Sequence, residues 1–226
     1  MPTVAITGAA GAIGGTTATV FADAGWDLAL IDYGADNHDA MTDAHPNAQV
    51  FDCNLLDEEA TRDVFQTIGT DAALDAVLAI AGGFAMQTAH EATTADYKRM
   101  MDLNLQTLFN TARAALPLLT DRDDSFFCGV SAPAAVNGQA RAALYAASKG
   151  AVAAYCKSLG AEYRDDGVRV SVLYPMGVVD TAANREAMPD ADPQTWIAPT
   201  ELAQGMLHLA TRSPRGHIPA LKVHAA

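Results

Sequence analysis

Short apolar segments alternate with helix-length segments along almost the whole chain. Residues 4–7, 28–31 and 74–80 carry few polar side chains, and each run is followed by a longer segment of mixed character. Continuous apolar runs of this length are typical of strands buried on both faces of a parallel sheet. Parallel strands need helical crossovers, which are right-handed. The alternation therefore predicts an α/β fold in which helices cover both faces of a parallel sheet.

The same pattern divides the chain into predicted elements. We expect strands at residues 4–7, 28–31, 48–51, 74–80, 126–130, 168–173 and 217–223, and helices at residues 12–24, 57–68, 94–119, 143–163 and 200–211. No linker rich in Pro, Gly or Ser interrupts the series, which predicts a single domain over residues 1–226. The most common arrangement of such elements is the doubly wound Rossmann type.

Charge and composition exclude several classes of partner. The net charge is −13, and the Lys and Arg residues are scattered, which argues against binding to nucleic acid or to an anionic membrane. The apolar runs are shorter than a bilayer-spanning helix, and the N-terminus lacks a basic leader. Cys53, Cys128 and Cys156 have neither a paired nor a metal-binding spacing, and the six histidines show no ligand pattern. We expect a reduced, cytoplasmic protein without a metal.

A glycine-rich segment lies between the first predicted strand and the first predicted helix. Glycines at this junction allow a tight turn and a close approach to a pyrophosphate, which the helix N-terminus attracts. By itself the pattern also fits an ordinary glycine-rich turn. Its position favours a dinucleotide site formed by Gly8, Gly11, Ala12, Ile13 and Gly14.

Asp32 follows the second predicted strand, 18 residues after Gly14. A carboxylate there accepts hydrogen bonds from ribose hydroxyls and repels a 2′-phosphate. No Lys or Arg occurs in residues 31–35, so the segment favours NAD(H) over NADP(H). The alternative is that Asp32 is only a solvated residue at the end of a strand.

Tyr145 and Lys149 have the i, i+4 spacing that places two side chains on one helix face. A phenol has a pKa near 10, and a neighbouring ammonium lowers that pKa toward the range useful for proton transfer. We therefore predict that Tyr145 is an acid/base and that Lys149 depresses its pKa. An isolated pair of this kind also occurs on amphipathic helices where Tyr packs and Lys is solvated.

Taken together, these motifs resemble the short-chain dehydrogenase/reductase family over essentially the whole chain. The resemblance implies that Ser131 binds the substrate oxygen, that Lys149 also binds the nicotinamide ribose, and that Asn104 holds a water of a proton relay. It further implies cofactor contacts from Tyr145 and from residues on three other segments, namely Asp52, Cys53, Ala81, Gly82, Pro175, Gly177, Val178 and Thr181. The family commonly forms homodimers or homotetramers through its two long helices, here residues 94–119 and 143–163.

The chain departs from the family pattern in three places. Ala12 stands where the usual spacing has glycine, and the Asn-Asn-Ala-Gly segment of the family reads Ala79-Ile80-Ala81-Gly82. Ser131 precedes Tyr145 by 14 residues, one more than the usual interval, which Ala132 satisfies. Either the loop absorbs one residue, or the enzyme works without the serine.

Two segments are similar to quinonoid dihydropteridine reductase, which lacks that serine and reduces a pterin with NADH. They are residues 81–84 and residues 184–192, the latter followed by Trp196. The leading hypothesis is an NAD(H)-dependent enzyme that interconverts a carbonyl and an alcohol on a small, largely neutral molecule. The alternatives are a dihydropteridine-type reductase and a non-catalytic NAD(H) sensor.

Overall fold

The computed structural model describes residues 1–225. Within that range the strands are β1 (Thr3–Thr7), β2 (Asp27–Asp32), β3 (Gln49–Asp52), β4 (Leu74–Ala79), β5 (Ser125–Val130), β6 (Val168–Pro175) and β7 (Ala220–Val223). The helices are α1 (Ala12–Asp23), α2 (Ala35–Ala44), α3 (Glu58–Asp71), α4 (Thr94–Met101), α5 (Thr107–Thr120), α6 (Ala134–Asn137), α7 (Ala143–Glu162), α8 (Ala182–Ala187) and α9 (Pro199–Ala210). A π-helical turn, Asp102–Gln106, joins α4 to α5.

All seven strands form one parallel sheet in the order β3-β2-β1-β4-β5-β6-β7. The chain builds outward from β1 to β3 on one side and from β4 to β7 on the other, so the order reverses between β1 and β4. Ligands of open α/β sheets bind outside the carboxyl ends of the strands at such a reversal. The predicted Rossmann-type parallel fold is confirmed.

Both faces of the sheet are buried, as the continuous apolar runs predict. Phe127 of β5 packs on one side with α3, α5 and α7, whereas its neighbour Phe126 packs on the other side with α1 and α9. Successive side chains of a strand point to opposite faces, so each strand contributes to both cores. The five central strands are buried along most of their length, whereas the edge strands β3 and β7 are partly exposed.

Several elements differ from the sequence prediction, including the short helices α6 and α8, which were not predicted. Helix α2 was not predicted, because residues 35–44 are polar and only Met41 of that helix is buried. The predicted helix at residues 94–119 is divided by the π-helical turn, which an apolar periodicity does not reveal. Within residues 1–225 no helix combines the length and the apolar composition that crossing a bilayer requires.

Candidate active site

The glycine-rich loop closes tightly between β1 and α1. Gly8 has a φ of +69°, and a β-carbon there would lie 2.9 Å from the Cα and N atoms of Ala81. A β-carbon on Gly14 would overlap the carbonyl oxygen of Gly8. Gly11 caps α1 without any side-chain hydrogen bond, and the first turn, which includes Ala12 and Ile13, carries no acidic residue. The loop thus leaves free N–H groups and a positive dipole end, which fits a dinucleotide pyrophosphate.

Asp32 lies at the end of β2 and binds the glycine-rich loop directly. Its carboxylate accepts hydrogen bonds from the Ala10 and Tyr33 N–H groups, each at 2.8 Å. Asp52 is its register partner at the end of β3 and accepts from the Gly34 N–H at 2.7 Å. The buried Cys53 donates its N–H to the Asp32 carbonyl at 2.7 Å, and burial raises the pKa of its thiol. Two carboxylates therefore border the position predicted for the adenosine.

Gly82 occupies a confined position just after β4. A β-carbon there would lie 2.6 Å from Asn104 Oδ1 and 2.9 Å from Lys149 Nζ. The preceding residue, Ala81, donates its N–H to the Thr7 hydroxyl of β1 at 3.3 Å. The structure thus brings the glycine-rich loop, the end of β4 and two predicted catalytic residues to one place at the β1–β4 reversal.

Asn104 is buried at the centre of the π-helical turn. Its Nδ2 atom donates to the carbonyls of Gly83 and Met100 and to the Ser148 hydroxyl, at 3.0, 3.2 and 3.1 Å. Its Oδ1 atom accepts from the Gly83 N–H at 3.1 Å. Turns of this kind occur frequently at functional sites. Asn104 therefore connects the loop after β4 to α7, and its predicted part in a proton relay stays a prediction.

Tyr145 and Lys149 lie one turn apart near the N-terminus of α7, as predicted. Lys149 is buried, its Nζ atom donates to the Val130 carbonyl at 3.0 Å, and burial lowers its pKa to about 8. Burial also raises the pKa of the Tyr145 phenol. The ammonium is directed to a main-chain carbonyl, and its predicted lowering of the Tyr145 pKa stays a prediction.

Ser131 does not present its hydroxyl to the cleft. The side chain donates to the Lys149 carbonyl at 2.8 Å and the residue is 2% exposed. Its N–H is also engaged, by the Leu173 carbonyl of β6. The predicted role of Ser131 at the substrate oxygen is therefore not supported by the geometry, because its only proton is already donated to α7. Ala132, equally buried, is the residue at the usual interval before Tyr145.

The remaining predicted cofactor residues follow β6, at the same edge of the sheet. Pro175 ends the strand, and Thr181 caps α8 by accepting from the Asn184 N–H at 3.2 Å. Gly177 and Val178 lie in the loop between them. The Ile197 N–H donates to the Val178 carbonyl at 2.8 Å and so anchors this loop. Their contacts with a cofactor stay predictions. Within residues 1–225 no three His, Cys, Asp or Glu side chains are grouped as metal ligands would be.

The structure adds two side chains to the predicted site. The Ser148 hydroxyl donates to the Tyr145 carbonyl at 2.9 Å while it accepts from Asn104, so it joins both halves of the site. Phe84 packs edge-on against Tyr145, with ring centroids 4.8 Å apart and planes at 89°. Ser148 could have been found from its place beside Lys149. No local pattern links Phe84 to a tyrosine 61 residues further on.

Comparisons with known proteins agree with this geometry. The family model described as short chain dehydrogenase matches residues 2–192. L-fucose dehydrogenase of Oryctolagus cuniculus is 29% identical over 203 residues, which are 89% of this chain and 71% of that protein. The chain therefore belongs to the short-chain dehydrogenase/reductase family of oxidoreductases, which confirms the predicted resemblance.

Solved structures show the same fold with either nicotinamide cofactor. An NADPH-bound short-chain oxidoreductase of Pseudomonas aeruginosa PAO1, described as containing an atypical catalytic center, matches with a TM-score of 0.89 and 21% identity over 99% of this chain and 95% of that one. A 3-ketoacyl-(acyl-carrier-protein) reductase of Brucella melitensis complexed with NADH matches with a TM-score of 0.87 and 18% identity, over 99% and 96%. At these identities the likeness shows the fold alone.

Proposed function

We propose that this protein uses NAD(H) to interconvert a carbonyl and an alcohol on a small organic molecule. The observation that carries the proposal is the position of Gly82. Because Gly82 has no β-carbon, Asn104 and Lys149 approach its backbone closely, while the preceding Ala81 lies against Gly8 of the glycine-rich loop. The loop that fits a dinucleotide and Lys149, one helical turn from Tyr145, therefore border the same short segment. A hydride carrier and a proton donor would meet there, and carbonyl reduction needs both.

Each residue of the site has a separate task in this mechanism. Gly8, Gly11 and Gly14 would hold the pyrophosphate of NAD(H), with Asp32 at its adenosine end, and the nicotinamide would supply or accept the hydride. Tyr145 donates its phenolic proton to the substrate oxygen, and its raised pKa keeps that proton in place at neutral pH. Lys149 carries the charge that stabilises the remaining phenolate. Asn104 and Ser148 fix α7 relative to the loop after β4.

The preference for NAD(H) over NADP(H) is proposed from the electrostatics of the adenosine end. The Asp32 and Asp52 carboxylates lie at the ends of neighbouring strands. Neither forms an ion pair with a Lys or Arg within residues 1–225. A 2′-phosphate would be repelled there, whereas ribose hydroxyls would donate to the carboxylates.

Fluorescence titration with NADH and NADPH tests both the site and the preference. We expect tight NADH binding, weak NADPH binding, and an NADH affinity about 10-fold to 100-fold lower in Asp32→Ala, because a charged hydrogen bond contributes about 1.5–3 kcal/mol. Asp36→Ala is the matched control, since Asp36 is an exposed acid near the same strand end. Equal or tighter NADPH binding would contradict the preference, and binding of neither nucleotide would contradict the function. Tight NADH binding without turnover of any carbonyl or pterin would favour the sensor.

A dihydropteridine-type reductase is the second candidate, because Ser131 is turned away from the cleft. An enzyme of that type works without the serine, which is compatible with Ala132 at the usual interval. Reduction of a quinonoid pterin by NADH, at a rate well above that of simple ketones, would favour it. If NADH reduced ketones but not pterins in the presence of this protein, the second candidate would be excluded.

We also propose that two copies associate through α4, α5 and α7. Tyr97 of α4 is exposed, and Phe109 of α5 and Tyr155 of α7 are half-buried neighbours with ring centroids 6.2 Å apart. Sedimentation velocity tests this, and a monomer at micromolar concentration would contradict it. A reducing, cytoplasmic location is proposed for the same protein, since its three cysteines are free and buried.

A further inference from the structure

Exposed apolar side chains are concentrated on the loops around Tyr145. Within residues 1–225, apart from Met1, seven large apolar side chains are exposed, and four of them follow three adjacent strands of the sheet. Phe84 and Met86 follow β4, Val136 follows β5 and Val178 follows β6. Exposing apolar surface to water is unfavourable, and grouped exposed side chains of this kind mark binding surfaces.

Phe84 connects these side chains to the catalytic phenol. Its ring packs edge-on against Tyr145, yet 56% of the residue is exposed. Part of the Phe84 surface is therefore open beside the Tyr145 ring. The Gln87 N–H bonds the Arg141 carbonyl at 2.7 Å, so the loop that carries Phe84 and Met86 is fixed to the segment just before Tyr145.

The same loops offer almost no charge to a ligand. Residues 80–89, 131–140 and 176–179 contain no Asp, Glu, Lys or Arg. Asp180 follows the third stretch, but Arg185 neutralises it through two hydrogen bonds of 2.6 and 2.7 Å. Arg141 is the exception, and its backbone has a φ of 63° in the left-handed region, uncommon for a side chain of this type. Apart from Arg141, these loops offer a charged substrate no partner of opposite charge to compensate for the hydration that it loses on binding.

We infer that the substrate is an uncharged carbonyl compound, or the corresponding alcohol, with an apolar and preferably aromatic body. Its oxygen would lie at the Tyr145 hydroxyl, and its body would pack on Phe84, Met86 and Val136. Aromatic rings favour edge-to-face and offset contacts, and Phe84 already offers such a surface beside the reacting oxygen. This inference rests on the proposed function, because it assumes that the carbonyl is reduced at Tyr145.

Three methyl ketones that differ in one substituent test the substrate class. They are 4-phenyl-2-butanone, 2-pentanone and 4-oxopentanoate, which carry a phenyl, methyl or carboxylate group on the same carbon. The matching aldehydes are 3-phenylpropanal, butanal and 4-oxobutanoate. With NADH, we expect kcat/KM for the phenyl compounds to exceed that for the methyl compounds by about 10-fold and that for the carboxylates by about 100-fold.

Substitutions at Phe84, Met86 and Val136 test whether these side chains cause the preference for the phenyl compounds. Met86→Ser and Val136→Ser should each lower the phenyl-to-methyl ratio of kcat/KM by about threefold or more, and Phe84→Ala by about 10-fold. NADH affinity should stay nearly constant in Met86→Ser and Val136→Ser, and kcat/KM should fall more for 3-phenylpropanal than for butanal. Tyr97→Ser is the matched control, because Tyr97 is an exposed aromatic residue on α4. We expect the ratio to be unchanged in that variant.

The possible failures are distinguishable. A preference for the carboxylates that disappears in Arg141→Gln would overturn the inference and leave the proposed function standing. Equal losses for all substrates in all three loop variants would also overturn it, since such losses would assign the side chains to folding or to the support of Tyr145. Absence of turnover with all six compounds, despite NADH binding, would overturn both the inference and the proposed function.

Discussion

The hydroxyl of Ser131 donates to the main-chain carbonyl of Lys149 over 2.8 Å, from a position that is 2% exposed. This bond joins the segment that follows β5 to α7, next to the catalytic pair Tyr145 and Lys149. Ser131→Ala should lower the free energy of unfolding by about 1 kcal/mol, the usual net contribution of such a bond. We expect kcat/KM to fall less than tenfold, because the hydroxyl does not face the substrate.

Ser125→Ala is the matched control for this variant. Ser125 is a buried serine at the other end of β5 that donates to the Leu119 carbonyl at 3.0 Å. Urea unfolding should show similar losses of stability for both variants. If kcat/KM instead fell by about 100-fold or more in Ser131→Ala alone, the hydroxyl would be assigned to the substrate oxygen.

Tyr145→Phe removes the predicted proton and keeps the ring that packs on Phe84. Turnover should fall by at least about 1,000-fold, since general acid catalysis contributes about 10²–10⁴. NADH affinity should change by less than about threefold. Tyr155→Phe, ten residues further along α7, is the control and should retain full activity. Retention of more than a tenth of the activity in Tyr145→Phe would contradict the mechanism.

Lys149→Met should make the protein more stable at neutral pH while abolishing activity. The buried ammonium has a pKa near 8 instead of 10.5, so the unfolded chain binds its proton more tightly than the folded chain. After loss of the bond to Val130 is allowed for, the gain should be about 2 kcal/mol at pH 7. Because the folded lysine loses its charge first, the gain should shrink as pH rises from about 8 toward 10.

Urea unfolding of both proteins between pH 6 and pH 9.5 measures this difference. A variant that is less stable than the parent at every pH would show that the ammonium is not a net cost to folding. A gain that does not change with pH would assign the effect to packing of the methionine.

Gly82→Ala introduces a β-carbon at a confined point between Asn104 and Lys149. The added atom would lie 2.6 Å from Asn104 Oδ1 and 2.9 Å from Lys149 Nζ, so one of these groups must move. Displacements of about 1 Å in an active site cost about 100-fold in rate, and we expect a loss of that size in kcat. Steady-state kinetics with NADH and a reactive aldehyde provide the measurement.

Gly150→Ala, on α7 beside Lys149, is the control for that substitution. A β-carbon there would meet no atom within 4 Å, and alanine favours the helix over glycine by about 1 kcal/mol. This variant should be slightly more stable and fully active. Equal activity of the Gly82→Ala and Gly150→Ala proteins would contradict the assigned crowding.

Much of the fold could be predicted because buried parallel strands leave a strong apolar signal. The predicted strand at residues 126–130 differs by one residue from β5, and the predicted helix at 143–163 differs by one from α7. Helix α2 left no such signal, since a single buried residue, Met41, gives no periodicity. The predicted last strand began at residue 217, whereas β7 begins at Ala220, directly after Pro219.

The residue types of the site could be predicted from the sequence, but the orientations of their side chains could not. The predicted helix at 143–163 holds Tyr145 and Lys149 as expected, whereas Asn104, predicted within one long helix, lies in the π-helical turn that divides it. The sequence did not indicate that Ser131 turns its hydroxyl into α7, because the rotamer depends on which carbonyl the packed helix presents. Nor did it reveal the π-helical turn, whose central Asn104 bonds the Gly83 loop and Ser148 only once the sheet is assembled.

The sheet order has a consequence for how the protein folds. Strand β1 pairs with β4, so Val4 and Ala76 become neighbours only when the intervening third of the chain forms a closed loop. Contacts between such distant residues slow folding, since a long loop must close before they form. The glycine-rich loop and the proton donor meet along this β1–β4 seam. A dinucleotide that binds there would bind the completed sheet and not the unfolded chain, so NADH would raise the free energy of unfolding by an amount that grows with its concentration relative to its Kd.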